Sequence, residues 1–359
     1  GSYGDGRLRG CPLSTIMLDR TFLRNCDSRN DAFTASVPVR SIDFFLSHSW
    51  SADGFWKQAA IYICFSTTPA YKLMMLSSVM GAHSFFLHGV RGAPFQILVL
   101  LVGCVSFLIG LLVNPLFKHR NTMVFLDICC IPQKDPVAKL YGISKLAEYL
   151  RASDKLLILW SPDYLDRLWC VYELAVFLRT HDKKDVVLVN LNHIKLCVSL
   201  MFLQLFSILT LCLQLHYEST HNPYIGYLLG LVTSILIGRE AFTCSKEWRK
   251  FCSRVRRFSV REAKCTSLAD YYTLKQLITD MYRSEAEFAA VVRCLWLGGG
   301  KAKSFPTWLF SWASLRIMCA PYIPLIVACA VDYIVCIATE ESFPMVPTYS
   351  QSQASPVPA

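Results

Sequence analysis

Residues 155–178, KLLILWSPDYLDRLWCVYELAVFL, decide the fold. Lys155–Trp160 is a short, continuous apolar run without alternation, as expected of a strand covered on both faces. Ser161, Pro162 and Asp163 interrupt it. Apolar residues then recur at helical spacing through Leu178, with Asp163 and Asp166 ahead of them as first-turn acids and a cap. Three more runs read as strands: SIDFFLSHS at 41–49, TMVFLD at 122–127 and VVLVNL at 186–191. Between them, GFWKQAAIYIC at 54–64 and ISKLAEYLRA at 143–152 read as helices, the second with Ile143, Leu146, Ala147 and Leu150 on one face. The order β-α-β-α-β-α-β predicts a flavodoxin-like α/β domain built on a parallel sheet. Ligands of such sheets bind beyond the carboxyl ends of the strands. The polar residues gather there: Ser47-His48-Ser49-Trp50, Asp127 and Ser161-Pro162-Asp163.

This domain is interrupted. Of the 359 residues, 53% are hydrophobic and 17% charged, with a mean hydropathy of +0.37, more apolar than an ordinary soluble domain. Residues 93–117 carry no charge over 25 positions, more than the roughly 20 that cross a bilayer core. Further spans are expected at 196–215, 223–238 (extending towards Ser219) and 317–338, and a more polar one at 73–89, giving about five transmembrane helices. The first strand can join the later ones only if the chain between them crosses an even number of times, which favours a hairpin. Lys72, Lys118, Arg120, Lys195 and Arg239 flank spans on one side, so the α/β domain is expected to face the cytoplasm in a multi-pass membrane protein.

The layout follows. An N-terminal segment occupies 1–40, and the split domain occupies 41–65 and 118–195. Hairpins lie at 66–117 and 196–238. A basic cytoplasmic helical region covers 239–304, a C-terminal transmembrane segment 305–338, and a disordered Pro/Ser-rich tail 339–359. Prolines 321 and 324 offer a break that would turn 307–338 into a hairpin. Net charge is +10, and 239–264 holds nine Lys or Arg against three Glu. Beside the apolar runs, that charge points to membrane lipids as partners, and no nucleic acid is expected. The 16 cysteines form no CxxC pair, so neither a disulfide framework nor a metal site is favoured.

The strand and helix motifs resemble a TIR (Toll/interleukin receptor/resistance) domain. Ile42-Asp43-Phe44-Phe45-Leu46-Ser47-His48 matches the family's first box, and Val124-Phe125-Leu126-Asp127 its second strand and acid. Gly142-Ile143-Ser144 with Arg151-Ala152-Ser153 matches the next helix. The most specific match is Ser161-Pro162-Asp163-Tyr164 followed by Trp169-Cys170-Val171-Tyr172-Glu173-Leu174. The resemblance covers roughly 41–65 and 121–191. The membrane hairpin inside the domain and the missing fifth strand depart from the family pattern.

The resemblance implies a signalling protein that forms homo-oligomers or binds other TIR domains through its cytoplasmic domain. It also implies an alternative, because some TIR domains cleave NAD at the nicotinamide–ribose bond. The catalytic carboxylate would then be Glu173, which shares a helix face with Trp169 and Cys170. A fixed carboxylate stabilises the positive charge that develops on the ribose as the bond breaks. NAD would be a substrate, with no cofactor implied. Trp50 would stack on a ring, Ser47, Ser49 and Ser161 would hydrogen-bond ribose or phosphates, and Tyr164 and Trp169 would line the cleft. Trp169 and Leu174 equally fit a plain core face, and Asp43 and Asp127 fit acids that bind loop backbone. A third class, a transporter or channel with a TIR-like regulatory domain, rests on Asp332 inside an apolar run.

Overall fold

In the computed structural model the described residues are 8–24, 32–217, 223–265, 267–297 and 312–338. Six strands form one mixed sheet in the order β2-β1-β4-β3-β5-β6. The strands are β1 (Leu8–Pro12), β2 (Val37–Val39), β3 (Ile42–His48), β4 (Met123–Phe125), β5 (Ser153–Trp160) and β6 (Val186–Asn190). The last four are the runs expected from the sequence. They pair in parallel, with Phe45 opposite Phe125, Ser47 opposite Ile158 and Leu157 opposite Val187. Numbered within themselves they run 2-1-3-4, the flavodoxin-like order without a fifth strand. Phe45 and Phe125, from the two sides of the insertion, stack at 4.5 Å between ring centroids.

The expected all-parallel sheet is wrong at one edge. β1 pairs antiparallel with both β4 and β2, so the sheet is mixed. The segment drawn as a separate N-terminus is thus part of the sheet. Its next turn, α1 (Leu13–Leu18), buries Leu13, Ile16 and Met17.

The helix expected at 54–64 does not stop there. α2 runs unbroken from Gly54 to Leu87, past Pro69, and α3 (Gly92–Phe117) returns against it. Gly89 and Gly92, both at positive φ, make the reversal. The two helices approach closely: a Cβ on Gly110 would sit 2.6 Å from the Cα of Ala70. The hairpin turns apolar residues outward, with Met80 62%, Val105 51% and Leu112 61% exposed, while Ser66 and Ser78 are wholly buried. Asn114 donates to Ser66 Oγ across the pair at 3.0 Å.

After β4, two short helices, α4 (Asp127–Cys130) and α5 (Pro136–Ser144), lead to α6 (Leu146–Arg151). Leu146 and Leu150 are buried as expected. α7 (Leu168–Thr180) follows β5, with Arg167 at its N-cap position and no side-chain cap, so Asp163 and Asp166 do not serve the role first expected of them. Asp166 ends a preceding 3₁₀ turn, and Asp163 is drawn into hydrogen bonds described below.

α8 (Leu191–Tyr217) starts directly at the end of β6, and α9 (Pro223–Arg257) carries the third expected span and the basic stretch as one helix. Among the described residues two helices are long and apolar enough to cross a membrane, Pro94–Phe117 and Leu191–Thr210, fewer than the five expected. Polar residues dilute 73–89 within α2. Much of the turn between α8 and α9 and several side chains of 223–229 lie outside the described residues. The 317–338 run is broken after Cys319: α12 (Trp312–Cys319) ends there and α13 (Tyr322–Ala338) begins after Pro321, leaving a shorter apolar helix over Tyr322–Ile334. The Gly298–Gly300 joint and the 339–359 tail lie outside the described residues.

The basic region folds back onto the α/β domain. It continues through α10 (Leu268–Tyr282) and α11 (Glu285–Leu297). Tyr282 donates its hydroxyl to the Ala175 carbonyl at 2.8 Å, and Trp160 packs edge-on against Phe251 and Trp296 at 4.8 and 5.2 Å.

Candidate functional site

The carboxyl ends of β3 and β5 lie side by side where the strand order reverses, and the chain places a polar cluster there. Ser47, on the last turn of β3, donates to Glu173 Oε2 of α7 at 2.5 Å and lies 2.7 Å from the Tyr164 hydroxyl. Tyr164 also reaches the Cys170 carbonyl at 3.5 Å, and Cys170 donates from Sγ to the His48 carbonyl at 3.5 Å. The two ends of the TIR-like motif, 126 residues apart in sequence, therefore meet through one hydroxyl.

A second carboxylate, Asp163, accepts from Ser49 at 2.5 Å, from Ser161 at 2.6 Å and from Ser51. Burial works against its charge, yet the hydroxyls of Ser161, Ser49 and Ser51 outweigh it and hold the carboxyl down at about 2. A third, Asp127, opens α4 with its own N-terminal amide: Ile128 N–H donates to it at 2.8 Å, and Trp50 Nε1 at 3.0 Å. Burial raises Asp127 above the usual carboxylate range against the pull of Trp50, Ile128, Lys57 and Arg167.

Two cations complete the cluster. Lys57, on the first turns of α2, is wholly buried and donates to the Ser49 carbonyl at 3.1 Å. Burial drops its ammonium to about 8, with Asp127 the strongest opposing influence. Arg167 reaches Ser49 Oγ at 3.4 Å. His48 is buried beside the Trp50 ring at 4.5 Å, with Nε2 unpartnered. Burial first, and then Lys57 and Arg167, keep it neutral. Glu173 behaves oppositely to Asp163. Burial raises it to about 8, Ser47 alone hydrogen-bonds it, and Asp127 adds repulsion.

No family model, curated protein or solved structure matches this chain.

The cluster gathers Ser47, Ser49, Trp50, Ser161, Tyr164 and Glu173, all singled out from the sequence. It does not use them as expected. Ser47, Ser49, Ser161 and Tyr164 are each less than 5% exposed, and their hydroxyls serve neighbouring carboxylates or each other instead of lining an open cleft. The physical reason is local: carboxylates at strand ends that water reaches only in part need hydroxyl and amide donors. The half-exposed groups are Trp50, Asp127, Asp163, Arg167 and Glu173, and these are what a ligand would meet. Trp169 stands half-buried on α7 with its ring edge-on to Tyr172 at 6.1 Å. Asp43 and Asp127 bind backbone, though not that of a loop: Asp43 accepts from Met123 N–H at the start of β4 at 2.6 Å, and Asp127 from Ile128 N–H in α4. Sequence reading missed Lys57 and Arg167. A single Lys inside the apolar run WKQAAIYIC was the signal available for the first, since a lysine on a buried helix face must find partners. Among the described residues no group of three or more His, Cys, Asp or Glu is arranged to hold a metal ion.

Proposed function

We propose that the chain is a membrane-tethered TIR-like signalling protein whose α/β domain, on the cytoplasmic side, acts by associating with other copies or other TIR domains. The observation that carries this reading is the switch-point contact of Ser47 with Glu173 inside a 2-1-3-4 parallel sheet. It joins the first motif to the Trp169–Leu174 motif, which supports the reading. The membrane reading is supported by Pro94–Phe117 and Leu191–Thr210, and by the outward apolar face of the hairpin. The cluster's serine hydroxyls are taken up by its own carboxylates, which favours assembly over small-molecule binding as the resting role. Two measurements test this. The expressed chain should resist alkaline extraction from membranes, and in neutral-lipid nanodiscs or detergent it should associate with rising concentration in light scattering. A chain released by alkali, or one that stays monomeric throughout, rejects the reading.

A second reading, NAD cleavage at the nicotinamide–ribose bond, is favoured by the position of Glu173 alone. The ionised carboxylate is the form that stabilises developing positive charge. With Glu173 held at about 8, NAD consumption by the associated protein should therefore rise with pH through that value. The rise should vanish in Glu173→Gln. Turnover undiminished in that variant rejects Glu173 as the catalyst.

A further inference from the structure

We propose that the groove between the end of α9 and the turn after β5 binds a soluble anion carrying several closely spaced phosphates. The groove encloses about 640 Å³ and is lined by Lys246, Arg249, Lys250, Arg254 and Arg257 of α9. That volume lies within the range of small-ligand sites. The five cations fall on one helix face by their three- and four-residue spacing. The opposite face, Trp248, Phe251, Cys252 and Val255, is buried in the core, which fixes the cationic face towards the groove. Leu165, Phe258 and Ser259 line it further, and Glu262 is the one acid among the lining residues.

Two of the cations are already paired: Arg254 with Asp166 at 3.2 Å and Lys250 with Glu247 at 2.7 Å. Lys246, Arg249 and Arg257 have no carboxylate within ion-pairing distance among the described residues. Like charges at helical spacing repel, and a concave wall brings their fields together, so a multiply charged anion is the complementary guest. Arginine forks favour phosphate over a single carboxylate.

A lipid headgroup and a free polyphosphate share this chemistry, and distance decides between them. This step rests on the membrane passage of 223–238 that the sequence leads one to expect, within the proposed membrane reading. At a rise of about 1.5 Å per residue, Lys246 and Arg257 lie about 12 and 28 Å beyond Gly238. The headgroup layer on one side of a bilayer is only about 5–8 Å thick. Most of the groove thus lies deeper than headgroups reach.

The groove adjoins the candidate site. The Asp166 carbonyl accepts from Lys264 N–H at 2.7 Å, and the Lys264 carbonyl accepts from Leu168 N–H at 3.0 Å. Arg167, between these residues, reaches Ser49. An anion competing with Asp166 for Arg254 would act on the segment that positions Arg167, which makes this a regulatory site.

The test uses the full chain in nanodiscs of neutral lipid, titrated calorimetrically with sodium tripolyphosphate and, separately, inositol hexakisphosphate. Saturable binding that weakens steeply with salt is expected. It should fall at least tenfold in the Arg249→Gln/Arg257→Gln double variant, whose side chains are exposed and outside the core, and stay unchanged in Lys118→Gln/Arg120→Gln. No saturable binding of either probe, or equal binding by the double variant, overturns the proposal. Nanodiscs containing a phosphoinositide form the second arm. Engagement of that lipid without competition from tripolyphosphate would assign the groove to a headgroup and overturn the soluble ligand. None of these readouts uses Glu173, NAD or self-association, so failure here and failure of the proposed function are told apart.

Discussion

The α/β core and the α2–α3 hairpin are built with opposite polarity. In the core, Phe45, Phe125 and Leu159 are buried, and the polar residues of the strand ends collect donors and counter-charges. In the hairpin, Met80, Val105 and Leu112 face outward while Ser66, Thr67 and Ser78 are buried. Thr67 and Ser78 donate to carbonyls one turn back in their own helix, and Asn114 binds Ser66 across the pair. Residues orient towards whatever solvent matches them. The core is made for water outside and oil inside, whereas the hairpin's outer face is as apolar as an interior. One helix, α2, belongs to both regimes: its first turns hold the buried Lys57 of the polar cluster, and its last turns carry exposed Leu76, Val79 and Met80. The proposed membrane reading would place that boundary within α2.

Truncating one apolar residue in each region should give the largest difference between them. Phe45→Ala removes a wholly buried ring stacked on Phe125 and should cost about 3–5 kcal/mol of unfolding free energy. Leu112→Ala, on an exposed position, should cost less than about 0.5 kcal/mol in a lipid or detergent environment. Denaturation of both variants in nanodiscs checks this, and equal losses would mean that Leu112 is part of a protein core.

The next effect concerns the polar cluster. The folded-state carboxyl of Glu173 sits at about 8, above its ordinary value of 4.5. The folded protein therefore binds a proton that the unfolded chain has released between those values. The resulting stability is full below about 4.5 and is lost as pH rises towards 8. Glu173→Gln should flatten that decline, recovering roughly 2–4 kcal/mol at pH 8 relative to wild type. Melting curves at pH 5 and pH 8 measure it. An unchanged pH slope would show that the surroundings of Glu173 do not hold a proton on its carboxyl.

Within the hairpin, Gly110→Val puts a side chain against the Ala70 backbone, where even a Cβ would come to 2.6 Å. Separating the helices should cost about 1–3 kcal/mol. Thermal unfolding in detergent reads this, and a neutral result would show that the two helices pack more loosely than their close approach implies.

Much of the core was legible because its signals are local. β3, β4, β5 and β6 announce themselves as apolar runs ended by polar residues, and the Trp169–Leu174 motif lies on one helix. β1 and β2 were not legible: LRGCP and VPV contain Gly and Pro, show no alternation, and become strands only because β4 offers an unpaired edge. The length of α2 was hidden by Pro69, which usually marks a helix boundary. Arg167 was missed because its sequence neighbourhood is unremarkable for a cation, and Lys57 because one lysine in an apolar run does not say which acids it will meet. Their importance comes from Asp127 and Asp163, which arrive from distant segments of the chain.

The β/α alternation, the interruption of the domain by an apolar insertion, and the identity of the polar residues at the strand ends are all legible in the order of amino acids. These follow from hydrophobic periodicity and run length, which act over a few residues. Three things emerge only from the folded arrangement: the serines turn inward, Glu173 holds its proton where Asp163 loses one, and the basic end of α9 faces a groove beside β5. Those outcomes depend on burial and on charges brought close from far along the chain, and neither is encoded in any one stretch.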